Sequence, residues 1–220
     1  MIRRGGTPLL HAIYQAYLVD QNTTAFADNV AKRYTIGTLE RLAASGDRMS
    51  RRASVLALGL FSDYRSNAAL GRALHDPDRG VRMLAENGIR SVWCRVGDAA
   101  QRKNLQAVID LVAQRRNETA ARRATRLIAA APWIAEAWNQ RALAHFGLKK
   151  FVDSIRDCEQ ALEINPYHFG AATGMAQCHL QLGNRAAALE CFRRALALNP
   201  NLEGVRAHVQ YLQRSLKGRQ

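Results

Sequence analysis

Long apolar runs are missing from this chain. One of the longest, SVLALGLF from Ser54 to Phe61, falls far short of the roughly 20 residues a membrane-spanning helix needs. No membrane association is expected, and the chain reads as soluble and cytoplasmic. Phosphate-cradling loops are missing too. Neither G-x-x-x-x-G-K nor G-x-G-x-x-G occurs, and Gly5 and Gly6 stand isolated, which speaks against nucleotide binding. Cys94, Cys158, Cys178 and Cys191 form no Cys-x-x-Cys pair, so they read as reduced core thiols of an intracellular protein. At the N-terminus two arginines precede an apolar stretch broken by His11, Tyr14, Gln15 and Asp20, without a cleavage pattern. It reads as mature protein and not as a signal peptide. Aromatics are scarce at 7%, and 5 prolines and 15 glycines leave few breaks. The remainder, rich in Ala, Leu and Arg, favours helices.

Acidic charge is also in short supply, and the net charge is +14. Residues 1–96 carry 14 basic and 8 acidic side chains, residues 97–134 carry 7 and 3, residues 135–202 carry 7 and 6, and residues 203–220 carry 4 and 1. The front and middle are therefore basic and the segment from 135 is nearly neutral. Such an excess attracts acidic proteins, nucleic acid or anionic lipid without choosing among them.

What the chain does have is a period. Pro132, Pro166 and Pro200 are spaced 34 residues apart, and the same shift lays Ala142 on Ala176, Ser154 on Ala188 and Ala161 on Ala195. Every aligned pair is small, as closely crossing helices require. Asn-Pro at 165–166 and 199–200 is placed to stop a helix. Larger residues, Trp138, Met175, Leu180 and Phe192, fall where they fill the gaps between helices.

AWNQRALAHFGLKKFVDSIRDCEQALEINP (Ala137 to Pro166) and GAATGMAQCHLQLGNRAAALECFRRALALNP (Gly170 to Pro200) resemble tetratricopeptide repeats. Trp138, Ala142, Ser154, Ala161 and Pro166 match signature positions in the first, and Ala176, Ala188, Phe192, Ala195 and Pro200 in the second. The departures are His145 and His179 at aromatic positions, Cys158 at a second-helix aromatic and Ala172 at the tryptophan. Residues 97–134 read as a degenerate unit that keeps Ala120, Leu127 and Pro132, and 203–220 as a capping helix with a tail. The outer units are 135–168 and 169–202. A second shift, of 31 residues, pairs Asp47 with Asp78, Arg51 with Arg82, Leu58 with Ile89 and Leu39 with Leu70. With DPDRGVRMLA it makes residues 36–96 resemble HEAT repeats, and Asp47 and Asp78 are expected to cap the following helices. Residues 1–35 would start the stack. The expected junction between the halves is CRVGD, Cys94 to Asp98. The expected fold is an all-α solenoid, an α-α superhelix of antiparallel helix pairs, HEAT-like and then tetratricopeptide-like.

No catalytic set emerges, no cofactor or metal is expected, and no small-molecule substrate is implied. Cys178 and His179 are consecutive and point about 100° apart on a helix, which disfavours a shared zinc ion. His11, His75, His168 and His208 show no partner pattern and are expected at the surface or in turns. Asp153 and Asp157, one helical turn apart, read as a solvated face. Arg51, Arg52, Arg82, Arg90, Arg122 and Arg123 are the candidate anion-binding residues, against a plainer reading in which Asp47 pairs with Arg51 and Asp78 with Arg82. The tetratricopeptide resemblance implies that first helices line a concave groove with Asn139, Gln140, Leu143, Phe146, Thr173, Gln177, Leu180 and Gln181. Some family members clamp a peptide's terminal carboxylate with Lys, Asn and Arg; here those positions hold Leu105, Ile109, Gln140, Gly170 and Gly174. The sequence thus points to a non-enzymatic scaffold for a protein or peptide partner, with nucleic-acid binding on the arginine face as the alternative.

Overall fold

A computed structural model of the chain describes residues 8–217; the first seven residues of the expected starting segment and the tail 218–220 lie outside the described residues. The described residues are all-α, with no strand among them. They divide into two compact units, one up to Val92 and one from Trp93 onward.

The first unit contains α1 (Leu9–Asp20), α2 (Thr23–Ala31), α3 (Ile36–Ser45), α4 (Arg48–Phe61), α5 (Asn67–Ala73) and all but the end of α6 (Arg79–Cys94). The 31-residue shift is visible in the starts of α4 and α6. Both starts are capped as expected: Asp47 accepts from the Ser50 N–H at 2.9 Å and Asp78 from the Val81 N–H at 3.0 Å. Leu39, Leu58, Leu70 and Ile89 are fully buried, consistent with apolar stripes turned inward. Where α4 meets α6, Gly59 faces Gly88. A Cβ on either would come within 2.7 Å of the other's Cα, so this crossing is closed by glycine alone.

The second unit is a run of helix pairs: α7 (Ala99–Ala113) with α8 (Asn117–Ala130), α9 (Ala135–Gly147) with α10 (Phe151–Ile164), and α11 (Phe169–Gln181) with α12 (Arg185–Leu198), closed by α13 (Glu203–Lys217). Helices α8, α10 and α12 begin 34 residues apart, as do α9, α11 and α13. The last helix therefore begins in the register of a first helix. Ala142, Ser154, Ala161, Ala176, Ala188 and Ala195 are all buried. Ser154 even returns its hydroxyl to the Ala142 carbonyl at 2.8 Å, so its one polar atom costs the core nothing. Asn165 and Asn199 end α10 and α12 with extended backbone, and their side-chain oxygens accept the Tyr167 and Asn201 N–H groups. Phe192, Met175 and Leu212 fill the spaces between helices.

Ala188 sits in this packed crossing, whereas Gln181 is exposed on α11. Ala188→Leu is expected to cost about 1–3 kcal/mol by overpacking and Gln181→Leu no more than about 0.5 kcal/mol. Urea unfolding of both variants checks this; equal losses would mean that the repeat register is misassigned.

Candidate functional site

First helices touch one another in the second unit, α7 against α9 and α9 against α11, so they share a face. Along that face the side chains divide into a buried polar centre and an open band. The centre is Glu136, in the first turn of α9. Its Oε1 accepts from the Asn139 amide at 3.1 Å and the Gln140 amide at 2.6 Å, and its Oε2 lies 2.9 Å from His168 Nε2. His168 precedes α11 and caps it, since Nδ1 accepts the Ala171 N–H at 3.0 Å. With Nδ1 accepting, the neutral ring carries its proton on Nε2 and donates it to Glu136. Trp93 covers the pair, its ring stacked on the imidazole at 4.2 Å between centroids. Burial pushes the Glu136 carboxyl up, but the hydrogen bond from His168, with those from the two amides, outweighs it and holds the group below its ordinary value.

This centre corrects two expectations. His168 stands at a turn, yet it is 1% exposed and fully employed. Asn139 and Gln140 are 8% and 9% exposed and spend their amides inside the protein. Aligning the repeats hides Glu136 and His168, because the same frame puts Gly170 and Ile134 at their positions. The one sequence hint is a histidine immediately before the first residue of a helix, where a side-chain acceptor is useful.

The open band contains the other groove candidates. Leu143 is 40% exposed, Gln177 and Gln181 are exposed, and Phe146 and Leu180 are half-buried. Phe146 meets Phe151 edge to face at 5.5 Å. The Thr173 hydroxyl donates to the Phe169 carbonyl at 2.9 Å.

Asp157 also departs from expectation. It is buried, and Arg141 binds it through Nε at 2.9 Å and Nη2 at 2.7 Å while lying over Trp138. Asp153 is half-buried and lies 3.5 Å from Arg156. The thiols are free, and burial pushes Cys94 up to about 11 and raises Cys158 as well, so neither is a ready nucleophile.

Among the arginine candidates, the pairing differs from the expected one. Arg51 forms a two-bond contact with Asp76 at 2.7 and 3.1 Å, and Arg52 one with Asp78 at 2.7 and 2.8 Å. Arg82 donates to the Asp76 and Pro77 carbonyls. The reason is reach: Asp47 is occupied with its own helix start, whereas the turn 76–78 lies beside the first turn of α4. Arg90 contacts Glu86 at 3.4 Å, Arg122 contacts Thr119 and Arg123 contacts Asn104. The bond from Arg52 and that from Val81 outweigh burial and pull Asp78 down to about 2.

Known proteins resemble parts of this chain. A family model described as tetratricopeptide repeat matches residues 135–168 and 171–202. A TPR repeat-containing protein of Rhizobium etli is 32% identical over 143 residues, 65% of this chain and 69% of that protein. The chain belongs to the tetratricopeptide repeat family. The Hsp70-Hsp90 organizing protein of Triticum aestivum is 30% identical over 92 residues, 42% of this chain and 16% of that protein. Among solved structures, the first TPR of Spaghetti (RPAP3), bound to an HSP90 peptide, aligns with a TM-score of 0.52 at 22% identity, covering 56% of this chain and 97% of that one. That likeness is one of fold. The two matched ranges take in α9, α10, α12 and all but the first two residues of α11, and Glu136 and the open band belong to them.

Two outcomes check this chemistry. His168→Ala removes the α11 cap and strands a buried carboxylate, and is expected to cost about 3–5 kcal/mol in chemical unfolding, against about 0.5 kcal/mol or less for exposed Gln177→Ala. Arg52→Gln should let the Asp78 carboxyl rise from about 2 toward the ordinary value of about 3.9, read by carbon NMR of the side chain. Because the folded carboxyl is depressed, the stability it contributes is present above the unfolded value and is lost as pH falls through about 2. The variant should lack that loss.

Proposed function

We propose that this chain is a non-enzymatic interaction module that holds a peptide or helix of another protein on the concave face of its first helices. Leu143, Phe146 and Leu180 supply apolar anchors, and Gln177 and Gln181 supply amides that can bond an extended backbone. The observation that carries this reading is the contrast along α9 and α11. At their N-terminal ends the polar groups are consumed by Glu136 and His168, whereas Leu143, Gln177 and Gln181 stay open to solvent. Membership in the tetratricopeptide family supports a peptide ligand. So do the wheat relative named for organising Hsp70 and Hsp90 and the solved domain holding an HSP90 peptide. The charge pattern favours a different peptide here. Leu105, Ile109, Gln140, Gly170 and Gly174 offer no cation to a terminal carboxylate, and Leu105 and Gln140 are buried. The segment bound on this face is therefore apolar or amide-bonded and its affinity depends weakly on salt. The arginine-face alternative has less support, because Arg51 and Arg52 are already committed to Asp76 and Asp78.

The test is capture of binding proteins from lysate of the source cell by the wild type and by Leu143→Asp, at low and high salt and with nuclease in parallel. Capture that survives salt and nuclease and falls at least tenfold, about 1.4 kcal/mol, in the variant is the expected result. Material that disappears with nuclease, or that the variant retains unchanged, refutes the reading.

A further inference from the structure

A cavity of about 490 Å³ opens between α7 and α8, lined by Gln101, Asn104, Arg123, Arg126, Leu127 and Ala130 among others. Its volume is in the range of small-ligand sites and would take a few side chains of a peptide. Its polar groups are nearly all donors. The Gln101 amide oxygen already accepts the Asp98 N–H at 2.9 Å, and the Asn104 amide oxygen accepts from Arg123 Nη2 at 2.8 Å, so both present their NH2 groups as the unspent ones. Arg123 Nε is buried and has no hydrogen-bond acceptor among the described residues. Leaving such a donor unmet is unfavourable.

The carboxylates of the segment that forms this cavity are engaged elsewhere. Residues 97–134 contain three, Asp98, Asp110 and Glu118. Asp98 caps α7 through the Gln101 N–H, Asp110 accepts from Gln106, and Glu118 lines a different cavity with Arg122 and His145. Two guanidiniums, two amide donors and an apolar floor of Leu127 and Ala130 thus line one cavity that has no carboxylate among its lining residues.

From this we propose that the α7–α8 cavity is a second binding site, which takes the carboxylate side chain of an acidic peptide segment from a protein partner. Arg123, held at an angle by Asn104, and Arg126 bond the carboxylate oxygens, while Leu127 and Ala130 receive the aliphatic stem. The absence of any aromatic ring from the lining gives a nucleic-acid base nothing to stack on, and the apolar floor suits a side chain with methylenes better than a bare phosphate. Every residue involved lies on α7 or α8, so the site stands independently of the α9–α11 face.

The experiment is a titration of the full chain, labelled with nitrogen-15, read at the arginine Nε–Hε resonances. The probes are acetyl-Glu-Leu-Glu-amide, its Gln-Leu-Gln counterpart and inorganic phosphate. The expected result is a saturable shift of Arg123 and Arg126 with the glutamate peptide, and affinity at least tenfold weaker for the other two probes. Ala130→Trp fills the cavity at an exposed position without removing charge, and should weaken the glutamate peptide at least tenfold while Arg193→Gln on α12 leaves it unchanged. The proposal is overturned by no saturable shift at Arg123 and Arg126, by equal shifts at arginines over the whole surface, by unchanged affinity in Ala130→Trp, or by phosphate binding as tightly as the glutamate peptide, which would assign the cavity to phosphate.

Discussion

Two helices can cross at close range only where the residues between them are small, and in the second unit that constraint sets everything else. Ala142, Ala161, Ala176, Ala188 and Ala195 hold the crossings narrow, and the one hydroxyl among them, Ser154, finds an acceptor in the Ala142 carbonyl. With the spacing fixed, bulky residues such as Phe192 and Met175 have a defined volume to fill, and each second helix must stop on time for the next pair to begin. Asn165 and Asn199 make the stop by turning the backbone extended and satisfying the next N–H groups themselves. A shared first-helix face follows from this regularity, as one side of every pair is left over once its crossings are packed.

Polar groups enter this apolar arrangement under a strict condition. Burying a charge is costly unless it is paired and fully bonded, and both buried carboxylates of the second unit meet that requirement. Glu136 collects three donors, and Asp157 receives a two-bond contact from Arg141 with His145 Nδ1 3.1 Å away. In each case the carboxylate is on one helix and a principal partner comes from outside it, so the bonds fix relative placement as well as charge. The surface that stays open toward Leu143 and Gln181 is therefore backed by a rigid support.

Features that obey a period were legible in the sequence. Helix starts, the small crossings, the Asn-Pro stops and the caps at Asp47 and Asp78 all follow from local chemistry repeated at fixed spacing. Features that break the period were not. Glu136, His168 and Trp93 meet because distant segments converge, and the aligned positions in neighbouring units carry unrelated residues. The arginine pairing was misjudged for a related reason. Within one helical turn Asp47 and Arg51 look like partners, but a carboxylate already capping its helix leaves the arginine to reach the adjacent turn at Asp76. Of the groove candidates, side-chain type could be read directly, whereas access could not, since Asn139 and Gln140 differ from Gln177 in what neighbouring helices bring against them.

The contact of Gly59 with Gly88 has a consequence for how this protein can change. A side chain added at one alanine crossing can in principle be accommodated by trimming its neighbour, because there is volume to trade. Between α4 and α6 the contact is backbone on backbone, and neither partner has an atom to give up. No second substitution at the crossing can then rescue a first, so the pair changes by moving a whole helix or not at all, and drift at these two positions is closed off while the rest of both helices remains free to vary.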